Sequence, residues 1–425
     1  MMSFSPLSTK AISWVVLVLL FFSCQKGLSD KSNSENNLFV WAEGLDDKVS
    51  ELEKVGIIQH EISLTEDQIK GEFHLSEIIE NHRYLELKNS SNTILGDIDK
   101  IIFSDSLIFV LDLYLNNSLQ VFDFTSGEEH LVFLPSGAGP GEMKTIADFD
   151  VDFENRKIWV FDEGLAKMLE FDFSGNFLAE KKVPLRANSF RRLGSDFVFS
   201  CVNNPNDHLA NVGLSDLVVL DSSMNIIAGF IASQFDQRLS SFLPRDLLRL
   251  NSKSLTYLPR YQNEILTLDV NKKSVSTLLR INLEKFGLNQ RDFVEIDESF
   301  VSKRKADGLF FTFGHHVVTP NWLSIKYDRF GGQELQIYYN KETGEVKSGV
   351  RINFDFKDLI SYSFPMACSD NTCISVIKMQ AFRDLDLDAF FEPLEVNGRD
   401  FSEMKEFIKG IEDFDQPVLL ITDLK

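Results

Sequence analysis

Three aspartates stand at alternate positions, Asp148, Asp150 and Asp152, interleaved with Phe149 and Val151 and followed by Phe153. Alternate residues of a strand share one face, so this stretch carries three carboxylates on one side and apolar groups on the other. Clustered carboxylate oxygens suit a hard cation such as Ca²⁺, provided that this face borders an enclosed space. The competing reading is a row of solvated acids on a half-buried strand. An EF-hand is excluded, because its loop needs glycine at the sixth position, where Phe153 stands. A similar series, Asp384, Asp386 and Asp388, reads as the polar face of a loop.

Just upstream lies a glycine-rich loop, Gly137-Ala138-Gly139-Pro140-Gly141-Glu142. It fails as a phosphate cradle: a dinucleotide fingerprint opens a helix and a P-loop ends in Gly-Lys-Ser/Thr, whereas an alternating strand follows here. Its glycines and proline fit a sharp crossing between strands. His315 and His316 are the only adjacent histidines, and neighbours on a strand point to opposite faces, so they do not readily share a metal. Neither a G-x-S-x-G elbow nor a Cys-x-x-Cys pair occurs. Cys368 and Cys373 flank Ser-Asp-Asn-Thr; a hairpin there places them opposite each other at disulfide distance, or leaves two buried thiols.

The elements that position these groups are announced by a repeat. An apolar strand, an Asp or Asn and a turn recur as VFDFTSG at Asp123, EFDFSGN at Asp172, VLDSSMN at Asp221 and TLDVNKK at Asp269, with spacings of 49, 49 and 48 residues. The pattern returns at Asn340 and Asp423 after wider gaps, which hold helical stretches at 284–307 and 398–411. Four short strands per 40–50 residues is the arithmetic of a propeller blade. The expectation is an all-β, six-bladed β-propeller with four antiparallel strands per blade and short helical insertions in the last two blades. The last unit has three strands of its own, near 359–364, 372–379 and 417–424. The early segment Arg83-Tyr84-Leu85-Glu86-Leu87 is expected to supply the fourth and lock the ring.

The N-terminus carries an address. Lys10 precedes the apolar run Ala11–Phe22, and Ser23-Cys24 ends it. At 12 residues the run is too short to span a bilayer and reads as a secretory signal. Phe21-Phe22-Ser23-Cys24 resembles a bacterial lipobox, which implies a signal peptide over 1–23 and acylation of Cys24. Residues 24–37 read as a polar, flexible tether and 38–425 as the propeller, with about 80–425 as the ring proper. A net charge of −21 argues against nucleic acid as a partner.

The loop Gly137, Gly139, Pro140, Gly141, Glu142, the following IADFDVD and RKIWVFD, and the ending PVLLITDLK resemble the bacterial 6-bladed β-propeller lipoproteins, relatives of NHL-repeat propellers. Met143 stands where that family usually has an aromatic residue. The resemblance implies the fold and a lipid anchor at the cell envelope, in the outer membrane or at the cell surface, and no particular activity. The function expected is a binding module for a peptide, glycan or envelope protein. The alternative is a Ca²⁺-dependent hydrolase or lyase with its site in the propeller channel. No other cofactor is expected.

Overall fold

A computed structural model of the chain describes residues 36–425 apart from 48, 90–92, 203, 205, 233–246, 252–253, 289–306, 357–358, 360, 396–399 and 412. The expected signal peptide, Cys24 and most of the expected tether therefore lie outside the described residues, as does most of the helical stretch expected at 284–307. Six antiparallel sheets form the blades of a six-bladed β-propeller. Blade 1 spans 100–133, blade 2 148–182, blade 3 189–230, blade 4 248–282, blade 5 310–349 and blade 6 367–424 together with 79–86. In blade 2, for example, Asp148–Asp152, Lys157–Asp162, Lys167–Asp172 and Phe177–Lys182 run from the innermost strand to the outermost. The two middle strands are buried along nearly their whole length and the outermost is mostly exposed. A middle strand is covered on both faces by neighbouring blades, so it reads as a continuous apolar run.

The core is accordingly a cycle of clusters, each shared by two blades. Phe109 and Val121 of blade 1 pack with Phe149 and Phe171 of blade 2, and Trp159 and Phe161 of blade 2 with Phe190, Phe197 and Phe199 of blade 3. Equivalent clusters join blades 3 and 4, 4 and 5, 5 and 6, and 6 and 1. The 38 phenylalanines of the sequence are used largely here, where tilted and edge-on rings fill the wedge between twisted sheets.

The repeated aspartate has a structural task. At the end of each third strand its carboxylate accepts amides of the following turn: Thr125 and Ser126 on Asp123, Ser174 and Asn176 on Asp172, Ser223 and Asn225 on Asp221, and Lys272 on Asp269. Asn340 does the same with Glu342 and Thr343. These are Asx turns. Blade 6 has no such turn, because its third and fourth strands come from opposite ends of the chain, and Asp423 instead accepts the Thr372 hydroxyl at 2.7 Å.

That shared blade closes the ring. Val418–Leu424 pairs antiparallel with Ile79–Glu86, with Leu419 opposite Leu85 and Leu420 opposite Tyr84. Its innermost strand is Ala367–Ser369, and of the strand expected near 359–364 the described residues, 359 and 361–364, are not in a strand. Pro365 lacks an amide to donate, which fits this segment's role as a connection. The helix Ser402–Gly410 buries Met404 and Ile408 as the periodicity predicts, whereas the helix Leu387–Glu395, capped by Asp386, stands where a polar loop was expected.

The N-terminal segment is more ordered than its composition suggests. Asn36–Ala42 forms a 3-10 helix, of which Asn36 and Asn37 belong to the stretch expected as tether. Ser50–Glu51, Glu53–Ser63 and Glu72–His74 then add parallel strands beside blades 3, 4 and 5, widening the ring proper beyond the expected start near 80. Val55, Ile58, His60 and Ile62 carry the weak strand signal that these outer edges recruit.

The antiparallel order gives the ring two unlike ends. Turns joining first to second and third to fourth strands emerge at one end, the turn face. Loops joining second to third strands, and the crossings between blades, emerge at the other, the loop face.

Two expectations follow from closure and from the turns. Removing residues 25–35 leaves the thermal midpoint unchanged, whereas removing Val418–Leu424 exposes a sheet edge and two apolar clusters and abolishes the cooperative melt; equal midpoints would refute closure by the shared blade. The turn amides hold the carboxyls of Asp123 and Asp172 below the ordinary 3.8, and at Asp221 the Asn225 contacts outweigh the opposing effect of burial. With the folded value below the unfolded one, this contribution is complete above roughly pH 4 and fades as pH falls through the depressed values. A variant with Asn at all three positions should therefore show a flatter dependence of Tm on pH below roughly pH 5, read by circular dichroism.

Candidate functional site

The innermost strands leave one edge without a sheet partner, and the charges singled out in the sequence lie on it. The Asp148 carboxylate is buried and accepts the Phe190 amide of blade 3 at 2.6 Å. Lys100, on the innermost strand of blade 1 and only 1 % exposed, donates to both Asp148 oxygens at 2.9 and 3.0 Å and to the Phe149 carbonyl at 2.7 Å. One position further along, Asp150 accepts the Arg192 amide at 2.6 Å and the Arg191 guanidinium at 2.9 Å. Asp152 pairs with Arg192. Burial opposes ionisation of Asp152, but the Asn155 amide and side chain and the Arg192 guanidinium outweigh it and hold its carboxyl below the usual range.

The three aspartates thus share a face as expected, but that face looks onto the next blade's inner strand and each carboxylate has its own cation. The mutual repulsion that would draw in Ca²⁺ is already relieved by Lys100, Arg191 and Arg192. Among the described residues, no group of three or more His, Cys, Asp or Glu side chains is arranged to hold a metal ion. The same stitching continues round the axis. Arg191 donates to the Leu248 carbonyl of blade 4 at 3.3 Å, and Arg249 to the His316 carbonyl of blade 5 at 3.1 Å. The basic members of this belt were not singled out from the sequence. Each sits in an ordinary strand pattern, and only its placement on an innermost strand gives it a role.

Above the belt, toward the turn face, lies a cavity of about 290 Å³ to which all six innermost strands contribute. Ile102, Phe153, Leu250, Val318 and Met366 form apolar walls, Asp150, Arg191 and Arg249 supply the polar groups, and Cys368 and Ser369 stand at the rim. Cys368 is bonded to Cys373 across the hairpin, with their Cα atoms 4.1 Å apart. Cys201 is buried and far from the rim in the fold, and burial raises its thiol pKa. A larger groove of about 970 Å³ lies between blades 3 and 4, lined by Val55, Ile57, Leu193 and Val270 together with short polar side chains of the turns. The channel cavity is the one of the two that draws on every blade.

The other candidate groups are structural. Gly141 adopts φ +75°, where an added Cβ would sit 2.9 Å from the Phe177 ring. Glu142 accepts the Gly139 amide at 2.8 Å, Lys167 donates to the Gly139 carbonyl at 3.1 Å, and Pro140 fixes the bend between them. Met143, in place of the aromatic residue, is buried in the cluster between blades 1 and 2. The two adjacent histidines do not converge. His316 is held between Thr256 and the Gly314 carbonyl, while burial, with Lys326, Arg249 and His316 nearby, pushes His315 down to about 3, so it stays neutral at physiological pH.

Six blades, a ring closed by both termini and an axial cavity define a six-bladed β-propeller with a channel-mouth site. Within that class the chain belongs to the family described as Domain of unknown function (DUF4934), whose match spans residues 58–423. A protein of Bacteroides fragilis NCTC 9343 designated as exported is similar in structure, with a TM-score of 0.67 at 17 % identity over 86 % of this chain and 99 % of that one. A DUF4221 family member of Bacteroides vulgatus ATCC 8482 gives a TM-score of 0.46 at 8 % identity, over 82 % of this chain and 97 % of that one. No curated protein matches the sequence. No helix among the described residues is long and apolar enough to cross a membrane.

The belt makes a direct prediction. Lys100→Met keeps most of the volume but leaves Asp148 buried without its cation, and should lower stability by about 3–5 kcal/mol in denaturant titration. Ca²⁺ at fixed ionic strength should leave the melting midpoint of the unsubstituted protein unchanged. A rise of several degrees that disappears in Asp148→Asn/Asp150→Asn would restore the metal site.

Proposed function

We propose that the chain is a lipid-anchored propeller of the cell envelope that binds a peptide, glycan or protein partner at the channel mouth on its turn face. The observation that carries this reading is the cavity itself: every blade contributes to it, its walls mix apolar side chains with polar ones, and its buried Asp150 is already engaged by Arg191. Ligand pockets usually occupy roughly 300–1,000 Å³, so about 290 Å³ suits one side chain or one sugar ring of a larger partner. Asp148, Asp150 and Asp152, the carboxylates on which the enzymatic alternative rested, are engaged by Lys100, Arg191 and Arg192, which favours binding.

Export and anchoring are supported by the apolar run Ala11–Phe22 ending in Ser23-Cys24, by the disulfide, which fits an oxidising compartment, and by the designation of the B. fragilis propeller as exported. The acidic surface keeps nucleic acid away.

Two substitutions test the reading. Cys24→Ala should move the protein from the membrane to the soluble fraction and remove the acyl mass; retention with unchanged mass would defeat the anchor. Ser369→Trp fills the mouth from its half-buried rim. On peptide and glycan arrays it should weaken capture roughly tenfold or more without altering the melt. Equal capture by this variant would place recognition elsewhere.

A further inference from the structure

The two ends of the ring differ in what they expose. The three most exposed large apolar side chains among the described residues are Leu214 at 77 %, Tyr114 at 67 % and Leu115 at 66 %. All three sit on the loop face, in the connections between second and third strands of blades 1 and 3. On the turn face the exposed large apolar group is Leu250, at the channel mouth. Others, such as Ile57 and Leu178, lie on outer strands around the girdle.

The described chain also begins on the loop face. Phe39 stacks on His208 with ring centroids 4.8 Å apart and lies under the Arg186 guanidinium, while Asp46 accepts the Asn211 and Val212 amides. Those partners belong to the blade 3 loop and to the crossing from blade 2. Beside the buried Phe39, Val40 and Trp41 are 55 % and 41 % exposed, and the Lys182 ammonium stands 5.3 Å from the Trp41 ring. Trp and Tyr favour the interface between water and bilayer, where a lysine can lay its stem along apolar surface and keep its charge wet.

Eleven residues, 25–35, separate Asn36 from Cys24. A random-coil chain of that length would have a mean span of roughly 20 Å, about the height of a six-residue strand. Such a tether, leaving from the loop face, holds that face toward the membrane and cannot easily bring the turn face round to it.

We infer that the loop face is a membrane-apposed surface: Trp41, Tyr114, Leu115 and Leu214 rest in the headgroup layer, and the channel mouth points away from the bilayer. This rests on the lipid-anchor reading of Cys24. The net charge of −21 disfavours anionic lipid, so the surface in question is zwitterionic.

The mature acylated protein, incorporated into phosphatidylcholine–phosphatidylethanolamine vesicles brominated at shallow acyl positions, tests it. Trp14 precedes the cleavage point, and Trp159 and Trp322 are only 7 % and 2 % exposed, so contact quenching reports Trp41. The expected result is flotation with the vesicles and a bromine-dependent loss of emission that Trp41→Phe removes. The triple variant Tyr114→Ser/Leu115→Ser/Leu214→Ser should still float but lose most of the quenching. Flotation without quenching, or quenching that survives the triple variant, overturns the membrane-apposed face while leaving the anchor intact. Failure to float overturns the anchor and this inference with it.

Discussion

The unpaired edges of the innermost strands are the constraint on which the ring depends. In an ordinary sheet those amides and carbonyls would find a further strand or water; at the axis of a propeller they face one another in a confined space, where an unmade hydrogen bond is expensive. Here charged side chains supply the partners. Asp148 and Asp150 take the Phe190 and Arg192 amides, while Lys100, Arg191 and Arg249 each reach a carbonyl of a following blade. Lys100 and Arg191 also neutralise Asp148 and Asp150, so blade positions and charge balance are fixed together. A buried pair of this kind is weak as a source of net stability but strongly selects one arrangement, since any rotation of a blade leaves a charge stranded.

Outside that belt the ring is held by packing between blades. Six apolar clusters, each shared by neighbours, make every blade dependent on the next. The arrangement is cooperative only because the circle closes. Closure by a strand from each terminus turns the weakest point of a meander, its two free edges, into an internal sheet. The N-terminal segment adds a further fastening by laying parallel strands along the outer edges of successive blades, where exposed amides would otherwise invite association.

The two ends of the ring are unlike. The turn face carries short turns around a small cavity. The loop face carries the long excursions and the protruding aromatic and aliphatic side chains, and the described chain begins there. The proposed binding surface and the proposed membrane-apposed face therefore lie at opposite ends.

The repeat was legible in the sequence because it reflects local chemistry. An Asp or Asn that caps its own turn needs no distant partner, so its recurrence marks five of the six blades, and the sixth is marked by its strands. Strand alternation, the helix over Ser402–Gly410 and the pairing of RYLEL with VLLITDL could be read for the same reason. The meaning of Asp148, Asp150 and Asp152 could not. Their alternation fixed a shared face, but whether that face met water, a cation or protein depended on Lys100, 48 residues before Asp148, and on Arg191, 41 residues beyond Asp150. The parallel outer strands were equally hidden, since a short amphipathic stretch such as Glu53–Ser63 becomes a strand only when an edge is offered to it. The sequence by itself determined each blade and the number of blades, through periodic burial and self-capped turns. The tertiary structure decided which charges serve the ring and which surface remains for a partner, because those properties belong to side chains that meet only across blade boundaries.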